Sequence, residues 1–341
     1  MLVDVYDVAA LLEESPQLLT FLEKKRNLLY RHTTIQMGQK EREIDMYLYM
    51  HPPKDVDQKL LELSRDLKRV HKKIKERIFD ALEFPPCVFG FVKGKSIKDA
   101  AEVHVGKETI ISLDMKDFFP STKSDFVLES LRKNFGFGEM ASWLLARLVA
   151  RRGVLPQGAI TSPGASNVAF YDKDLALMEF AERHNLVYTR YADDLTFSSD
   201  ENIEDATQLL SEVAEIIKPY RLNFKKVKVY RGRQRKYVLG LVVNRKLNVP
   251  KEYKRTVIAA IHNYVVKNKV PPGEDPIKYK RKLKGKINYI ASINPTRRVM
   301  RFKKMLDEFD PNKVKKWGFI GVDVLEEGKK LFEEMLKLSQ K

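Results

Sequence analysis

Cysteine is nearly absent from this chain. Cys87 stands alone among 341 residues, which excludes an internal disulfide framework and a cysteine-built zinc site. Long apolar runs are missing as well, and the amphipathic segments read as helices facing a core rather than a bilayer. The opening text MLVDVYDVAA lacks the basic-then-apolar layout of a secretory signal. No internal repeat or low-complexity tract is evident. Acidic residues are in deficit, 46 against 63 lysines and arginines, which leaves a formal charge of +17. That excess favours a polyanionic partner through counterion release, and nucleic acid is the first candidate. At 43% hydrophobic residues the chain can bury a core, and its length predicts roughly two or three lobes. These features point to a soluble, cytoplasmic, globular protein that does not engage a membrane.

Periodicity supplies the elements. Val8, Leu11, Leu12, Leu18, Leu19, Leu22 and Leu29 recur at helical spacing, interrupted near Pro16. TTIQMGQKEREIDMY, from Thr33 to Tyr47, alternates like strands around a turn at Gly38, setting Lys40 and Arg42 just past a hairpin tip. A lysine-dense helical pattern runs from Asp55 to Leu82 and ends before Pro85-Pro86, and GFVKGKSI from Gly90 reads as a loop. TIISLDM at 109–115 is a short β-rich run, and LVYTRYADDLTFSS at 186–199 reads as two strands around a tight turn at Ala192, Asp193 and Asp194. Between them, Ser162 as N-cap and Pro163 in the first turn open a long helix whose apolar face carries Val168, Tyr171, Leu175 and Met178. Strands return from Tyr237 to Asn244. After Pro250 the pattern is helical and basic, densest in KYKRKLKGK at 278–286.

Asp114 and the Asp193-Asp194 pair thus stand at strand ends, brought together only if the chain folds back on itself. Oxygen-only ligands suit magnesium, which takes a few carboxylates plus substrate phosphates, and paired ions can hold the attacking and leaving oxygens of an in-line phosphoryl transfer. A double aspartate by itself is an ordinary turn feature. Its setting carries the weight.

YADD at 191–194 resembles the active-site turn of reverse transcriptases, and LDMKDFFPS at 113–121 resembles their first catalytic strand. The resemblance implies that Asp114 is a metal ligand and Asp117 is not, with Asp193, Asp194 and the backbone carbonyl of Met115 completing a two-metal Mg2+ site in which Mn2+ can substitute. LPQGAITSP at 155–163 resembles a block of group II intron and retron enzymes, implying that Gln157 and Gly158 contact the nascent base pair. NFKKVKV at 223–229 resembles the lysine block and implies catalytic assistance from Lys226 at the triphosphate, with Val227 where the family has threonine. By the same resemblance Phe119 underlies the incoming sugar and would clash with a ribose 2′-hydroxyl. Lys40 and Arg42 hold the triphosphate, and Gly240 in YVLGLVV belongs to a loop that grips the primer end. Taken together these blocks imply an α+β right-hand polymerase. Its N-terminal helices and fingers would be 1–105, its palm 106–250 with part of 125–165 returning to the fingers, and its helical basic thumb 251–341.

Short length and the text YTRYADDLTF are most similar to the retron branch, which implies a structured non-coding RNA as template and primer, an RNA–DNA hybrid, deoxynucleotides, a short single-stranded DNA product, a role in anti-phage defence and an effector protein. Ala100 stands where that branch has asparagine, and Leu239 where it has threonine. His104 is either an RNA contact or a satisfied core histidine. Lys282, Lys284 and Lys286 would contact nucleic acid, against the alternative of a solvated helix face. Other bacterial reverse transcriptases with a different RNA and priming mode, a catalytically silent RNA-binding scaffold and a metal-dependent nuclease are the rival classes. Intact carboxylates disfavour the scaffold, since their repulsion opposes folding unless a metal relieves it.

Overall fold

Local capping chemistry sets half of the helix starts. In this computed structural model, which describes residues 2–37 and 40–313 with the side chains of Met37, Lys40 and Lys313 left out, α1 spans Val5–Leu12 behind an Asp4 capping box. Proline at N1 explains the break near Pro16: α2 spans Pro16–Lys25, and the Ser15 hydroxyl accepts from the Leu18 N–H at 3.1 Å. β1 (Tyr30–Met37) and β2 (Lys40–Tyr47) pair antiparallel with Ile35 opposite Arg42, so the hairpin forms where alternation placed it; its turn residues lie outside the described residues. α3 (Gln58–Arg77) starts on Asp57, whose carboxylate accepts from the Lys59 N–H. α4 (Ile97–Glu102) follows the Gly90 loop.

β3 (Thr109–Asp114), α5 (Phe118–Ser121), α6 (Ser124–Phe135), α7 (Glu139–Val149), α8 (Ser162–Arg183), β4 (Val187–Tyr191), β5 (Asp194–Ser199), α9 (Thr207–Ile216) and β6 (Lys228–Tyr230) come next. The strands form one antiparallel sheet in the order β4-β5-β3-β6. β6 was not legible as a strand, because its lysine-bearing text is short and lies at the sheet edge. β7 (Tyr237–Val238) and β8 (Leu241–Val242) are far shorter than the strands predicted over 237–244.

Two corrections concern α8. Its N-cap is Thr161 rather than Ser162, whose hydroxyl instead donates to the Pro156 carbonyl at 2.6 Å. Its buried residues include Val168, Phe170, Leu177 and Phe180, whereas Leu175 is exposed. The single apolar stripe predicted for this helix fails because α6 and α7, and β4 and α9, all pack on it, so burial is spread around its circumference.

The described residues divide into two compact units, those up to 239 with 243–246, and 240–242 with 247–313. Within the first, one core gathers Leu19, Leu22, Leu67, Ile74, Leu131, Leu145 and Leu155, so the 125–165 segment packs on the N-terminal helices. The other core lies between sheet and helices, with Leu113, Phe118, Phe170, Phe180, Leu195 and Phe197. The described residues up to 105 and the sheet region fall in this same compact unit. The second unit holds α10 (Lys251–Val265), α11 (Pro276–Ile293) and α12 (Arg297–Glu308), joined through Val257, Ile261, Leu283, Ile287, Val299 and Leu306. Residues 314–341 of the lobe predicted over 251–341 lie outside the described residues.

Candidate active site

Strand register brings the distant carboxylates together. Asp114 ends β3 directly opposite Asp194 at the start of β5, and the Met115 N–H donates to the Asp193 carbonyl at 2.9 Å. The Asp114 carbonyl in turn accepts from the Asn223 N–H at 2.7 Å, which tethers the segment carrying Lys226. Lys226 Nζ forms an ion pair with Asp114, and that bond holds the lysine above its ordinary pKa. Burial raises the Asp193 carboxyl, with Asp114 adding repulsion. Asp194 is pushed up to about 6 by desolvation at the strand end and then by Asp193 and Asp114, although its side chain still reaches solvent.

A cleft of about 860 Å³ opens over these strand ends. Asp114, Asp193, Met115, Lys226, Phe119, Gln157 and Arg42 all line it. The Met115 side chain is 1% exposed and lies in the core, so what Met115 offers the cleft is backbone. Asp117 also lines the cleft, whereas Asp194 does not. Asp194 nonetheless stands directly across from Asp114 in the β3–β5 register, and cross-strand partners share a face, so the two carboxylates are neighbours.

Hairpin β1–β2 is pinned over the cleft. The Asp45 N–H donates to the Gln157 carbonyl at 2.6 Å, Arg42 Nε donates to Gln157 Oε1 at 3.3 Å, and Arg151 forms an ion pair with Asp45. Gly158 has φ +118°, and a Cβ there would sit 2.9 Å from the Asp45 carbonyl oxygen, so the hairpin can approach only a glycine. At its base the Tyr47 hydroxyl lies 2.8 Å from His71 Nδ1 and accepts from the Ile160 N–H, while His71 Nε2 lies 2.9 Å from the Leu148 carbonyl. Burial lowers His71 to about 4, which keeps the ring neutral, with Nε2 donating and Nδ1 accepting. Phe119 is half-buried, its ring 6.2 Å from Phe91 and 5.8 Å from Phe118; Phe118 itself is core.

Other expected contacts fall elsewhere. His104 is fully buried, with Nδ1 2.7 Å from Ser198 Oγ and Nε2 2.7 Å from Thr189 Oγ1; it is the satisfied core histidine, and its side chain presents nothing to RNA. Lys282 pairs with Glu274 at 2.6 Å and Lys284 with Asp307 at 2.8 Å, so within that cluster Lys286 is exposed without such a neutralising ion pair among the described residues. In the same unit Lys251, Lys254, Arg255 and Arg298 line a groove of about 390 Å³ and form no ion pair among the described residues. Gly240 has φ +79°, and open space surrounds the position of its missing Cβ. The Lys40 side chain lies outside the described residues.

Sequence reading missed the support behind the aspartate turn. Arg190 is completely buried: Nε and Nη2 fork onto Asp174 at 2.8 and 2.6 Å, and Nη1 donates to Asn167 Oδ1 at 3.0 Å and to the Ala192 carbonyl at 3.2 Å. Burial raises the Asp174 carboxyl, and the guanidinium opposes that rise; Arg190 is held above its ordinary value. Gly90 lies against the same turn, where a Cβ would stand 2.3 Å from the Ala192 nitrogen. The available signal was an arginine in mid-strand, at a position where a solvent-facing charge was not required.

A four-stranded antiparallel sheet with carboxylates at its strand ends, helices behind it and a cationic hairpin docked over the cleft is the α+β arrangement of right-hand polymerases. The chain belongs to the reverse transcriptase (RNA-dependent DNA polymerase) family, whose pattern matches residues 57–243. It is 34% identical over 267 residues to the Retron Mx162 reverse transcriptase of Myxococcus xanthus, covering 68% of this chain and 54% of that one. To the Retron Ec86 reverse transcriptase of Escherichia coli it is 32% identical over 203 residues, 59% of this chain and 63% of that one. The chain therefore spans between half and two thirds of the length of these relatives. Among solved structures, telomerase from Candida albicans aligns over 82% of this chain and 61% of that one at TM-score 0.48 and 11% identity, too distant a likeness to carry function.

The donor set fits a hard divalent cation: oxygen-only carboxylates whose mutual repulsion a cation would relieve. Among the described residues no three acidic or histidine side chains are already gathered round a common point. Lys226 holds Asp114, and Asp194 lies outside the cleft lining. Magnesium bound by one or two carboxylates together with substrate phosphates needs no preformed cage.

Proposed function

We propose that this chain is an RNA-directed DNA polymerase that copies a structured RNA into DNA. The observation that carries the reading is the convergence of Asp114, Asp193, Lys226, Gln157, Phe119 and Arg42 on one cleft from separate stretches of the chain. Asp114 and Asp193, with the Met115 carbonyl and Asp194, would hold divalent ions, magnesium by their hardness. Such ions supply charge neutralisation at the attacking and leaving oxygens. Arg42 places a cation at the cleft rim for the triphosphate, and Gln157, positioned by Arg42 and Asp45, faces the space for the nascent base pair. Lys226, ion-paired with Asp114, would supply a cation for the leaving pyrophosphate.

The polyanion-seeking charge, together with the similarity to retron enzymes, supports a structured non-coding RNA as template and primer, a branched RNA joined to a short DNA as product, and use in anti-phage defence with an effector protein. In the second unit, the thumb in this reading, the groove cations at Lys251, Lys254, Arg255 and Arg298, which form no ion pair among the described residues, are better placed for phosphates than the neutralised Lys282 and Lys284. No helix among the described residues is long and apolar enough to cross a membrane, in keeping with work in the cytoplasm.

The test purifies the protein from cells carrying its neighbouring DNA, sequences the bound nucleic acid, and assays deoxynucleotide incorporation beside Asp193→Asn. A discrete RNA branched to a short DNA, with synthesis lost in the variant, is expected. Bulk RNA with activity only on added primer and template would remove the retron role. Undiminished synthesis by Asp193→Asn would remove the assigned site.

A further inference from the structure

Burying a guanidinium is expensive unless every donor finds a partner, and replacing a buried ion pair with apolar groups is often neutral or better for stability. A packing role alone therefore gives little reason for Arg190. Its bonds point to another one. Asp174 takes one side of the fork, and Tyr188 adds a hydroxyl bond to the same carboxylate at 3.0 Å. The remaining nitrogen reaches the Ala192 carbonyl and Asn167, whose amide donates to the Gly90 carbonyl at 2.9 Å. Ala192 has φ +57°, a left-handed conformation that a non-glycine residue keeps only when its surroundings impose it. On one side of this turn Asp193 lines the cleft. From behind, a closed polar network joins α8, β4 and the Gly90 loop to the peptide immediately before Asp193.

We propose that Arg190 is a positioning residue for metal-dependent phosphoryl transfer: clamped by Asp174 and Asn167, it fixes the Ala192 carbonyl and so the direction in which Asp193 is presented to the cleft. The inference rests on the polymerase reading of that cleft. Arg190 touches neither substrate nor metal, since it is fully buried; it acts through the peptide plane. A tilted Asp193 would still be ionised but would meet the cation off its lone-pair direction, and outer groups that orient metal ligands matter nearly as much as the ligands.

The experiment measures Mn2+ binding to the full chain by electron paramagnetic resonance, beside single-turnover nucleotide incorporation and thermal unfolding. The variants are Arg190→Lys, Asn167→Ala and, as a buried control on the same helix, Leu177→Ala. Arg190→Lys and Asn167→Ala are expected to weaken Mn2+ binding and slow incorporation by about 10- to 100-fold, while Leu177→Ala lowers the unfolding temperature and leaves Mn2+ affinity unchanged. Should Arg190→Lys not fold, Asn167→Ala decides, because it leaves the Arg190–Asp174 pair in place. Wild-type Mn2+ affinity in Asn167→Ala, or an equal loss in Leu177→Ala, overturns the proposal. Wild-type protein that neither takes up Mn2+ nor incorporates nucleotides overturns the polymerase reading itself, and the positioning role with it.

Discussion

Replacing Asp194 by asparagine should make the metal-free protein more stable at neutral pH. The Asp194 carboxyl rises from 3.8 to about 6 in the folded chain, through desolvation first and then repulsion from Asp193 and Asp114. A raised acid pKa means that the native state holds the proton more tightly than the unfolded one. Wild-type stability therefore falls as pH climbs from about 4 to about 6 and stays lowered above that. Each unit corresponds to about 1.4 kcal/mol, so the unscreened limit is about 3 kcal/mol. The side chain reaches solvent, and screening reduces this to about 1 to 1.5 kcal/mol. No hydrogen bond or ion pair to the Asp194 carboxylate exists among the described residues, so Asp194→Asn removes the charge and little else. For a unit of this size the gain amounts to about 2 to 6 °C in unfolding temperature. Calorimetry in EDTA at about pH 7.5 should show that rise, and at about pH 4.5 the advantage should shrink to roughly a third, because native Asp194 is then protonated already. Added Mg2+ should stabilise wild type more than the variant, since the ion relieves the same repulsion. A variant no more stable than wild type at neutral pH, or one whose advantage is undiminished in acid, would refute this account of the strand-end charges.

Phe119→Ala should improve ribonucleotide use relative to deoxynucleotides, measured as the ratio of the two kcat/KM values, by about tenfold or more; unchanged selectivity would return the ring, which also packs on Phe91 and Phe118, to a purely structural role. Charge reversal at Lys254, Arg255 and Arg298 should flatten the salt dependence of RNA binding by a slope of about 2 to 3. The same change at Lys282, Lys284 and Lys286 should flatten it less, because Glu274 and Asp307 already neutralise two of those lysines. Equal slopes in filter-binding titrations would count against the groove.

What the sequence determined by itself was the class of the protein and which acids to seek at the ends of its strands. Proline, serine and aspartate at N-caps are local signals, so α2 and α3 begin where Ser15-Pro16 and Asp57 place them. Alternation is local too, and it set the β1–β2 hairpin to within three residues at its start. Ordered blocks around YADD marked Asp114, Asp193 and Lys226, which the fold brings to one cleft. Tertiary structure decided what depends on partners far along the chain. His104 became core because Thr189 and Ser198 meet both its nitrogens, and α8 lost its single apolar face because elements pack around it. Asp194, adjacent to Asp193 in the chain, is set opposite Asp114 only by the β3–β5 register of the folded sheet. Arg190 acquired Asp174, Asn167 and the Ala192 carbonyl only on folding. A residue type fixes which bonds a side chain can make, but burial and the arrival of a distant partner fix which of them it does make.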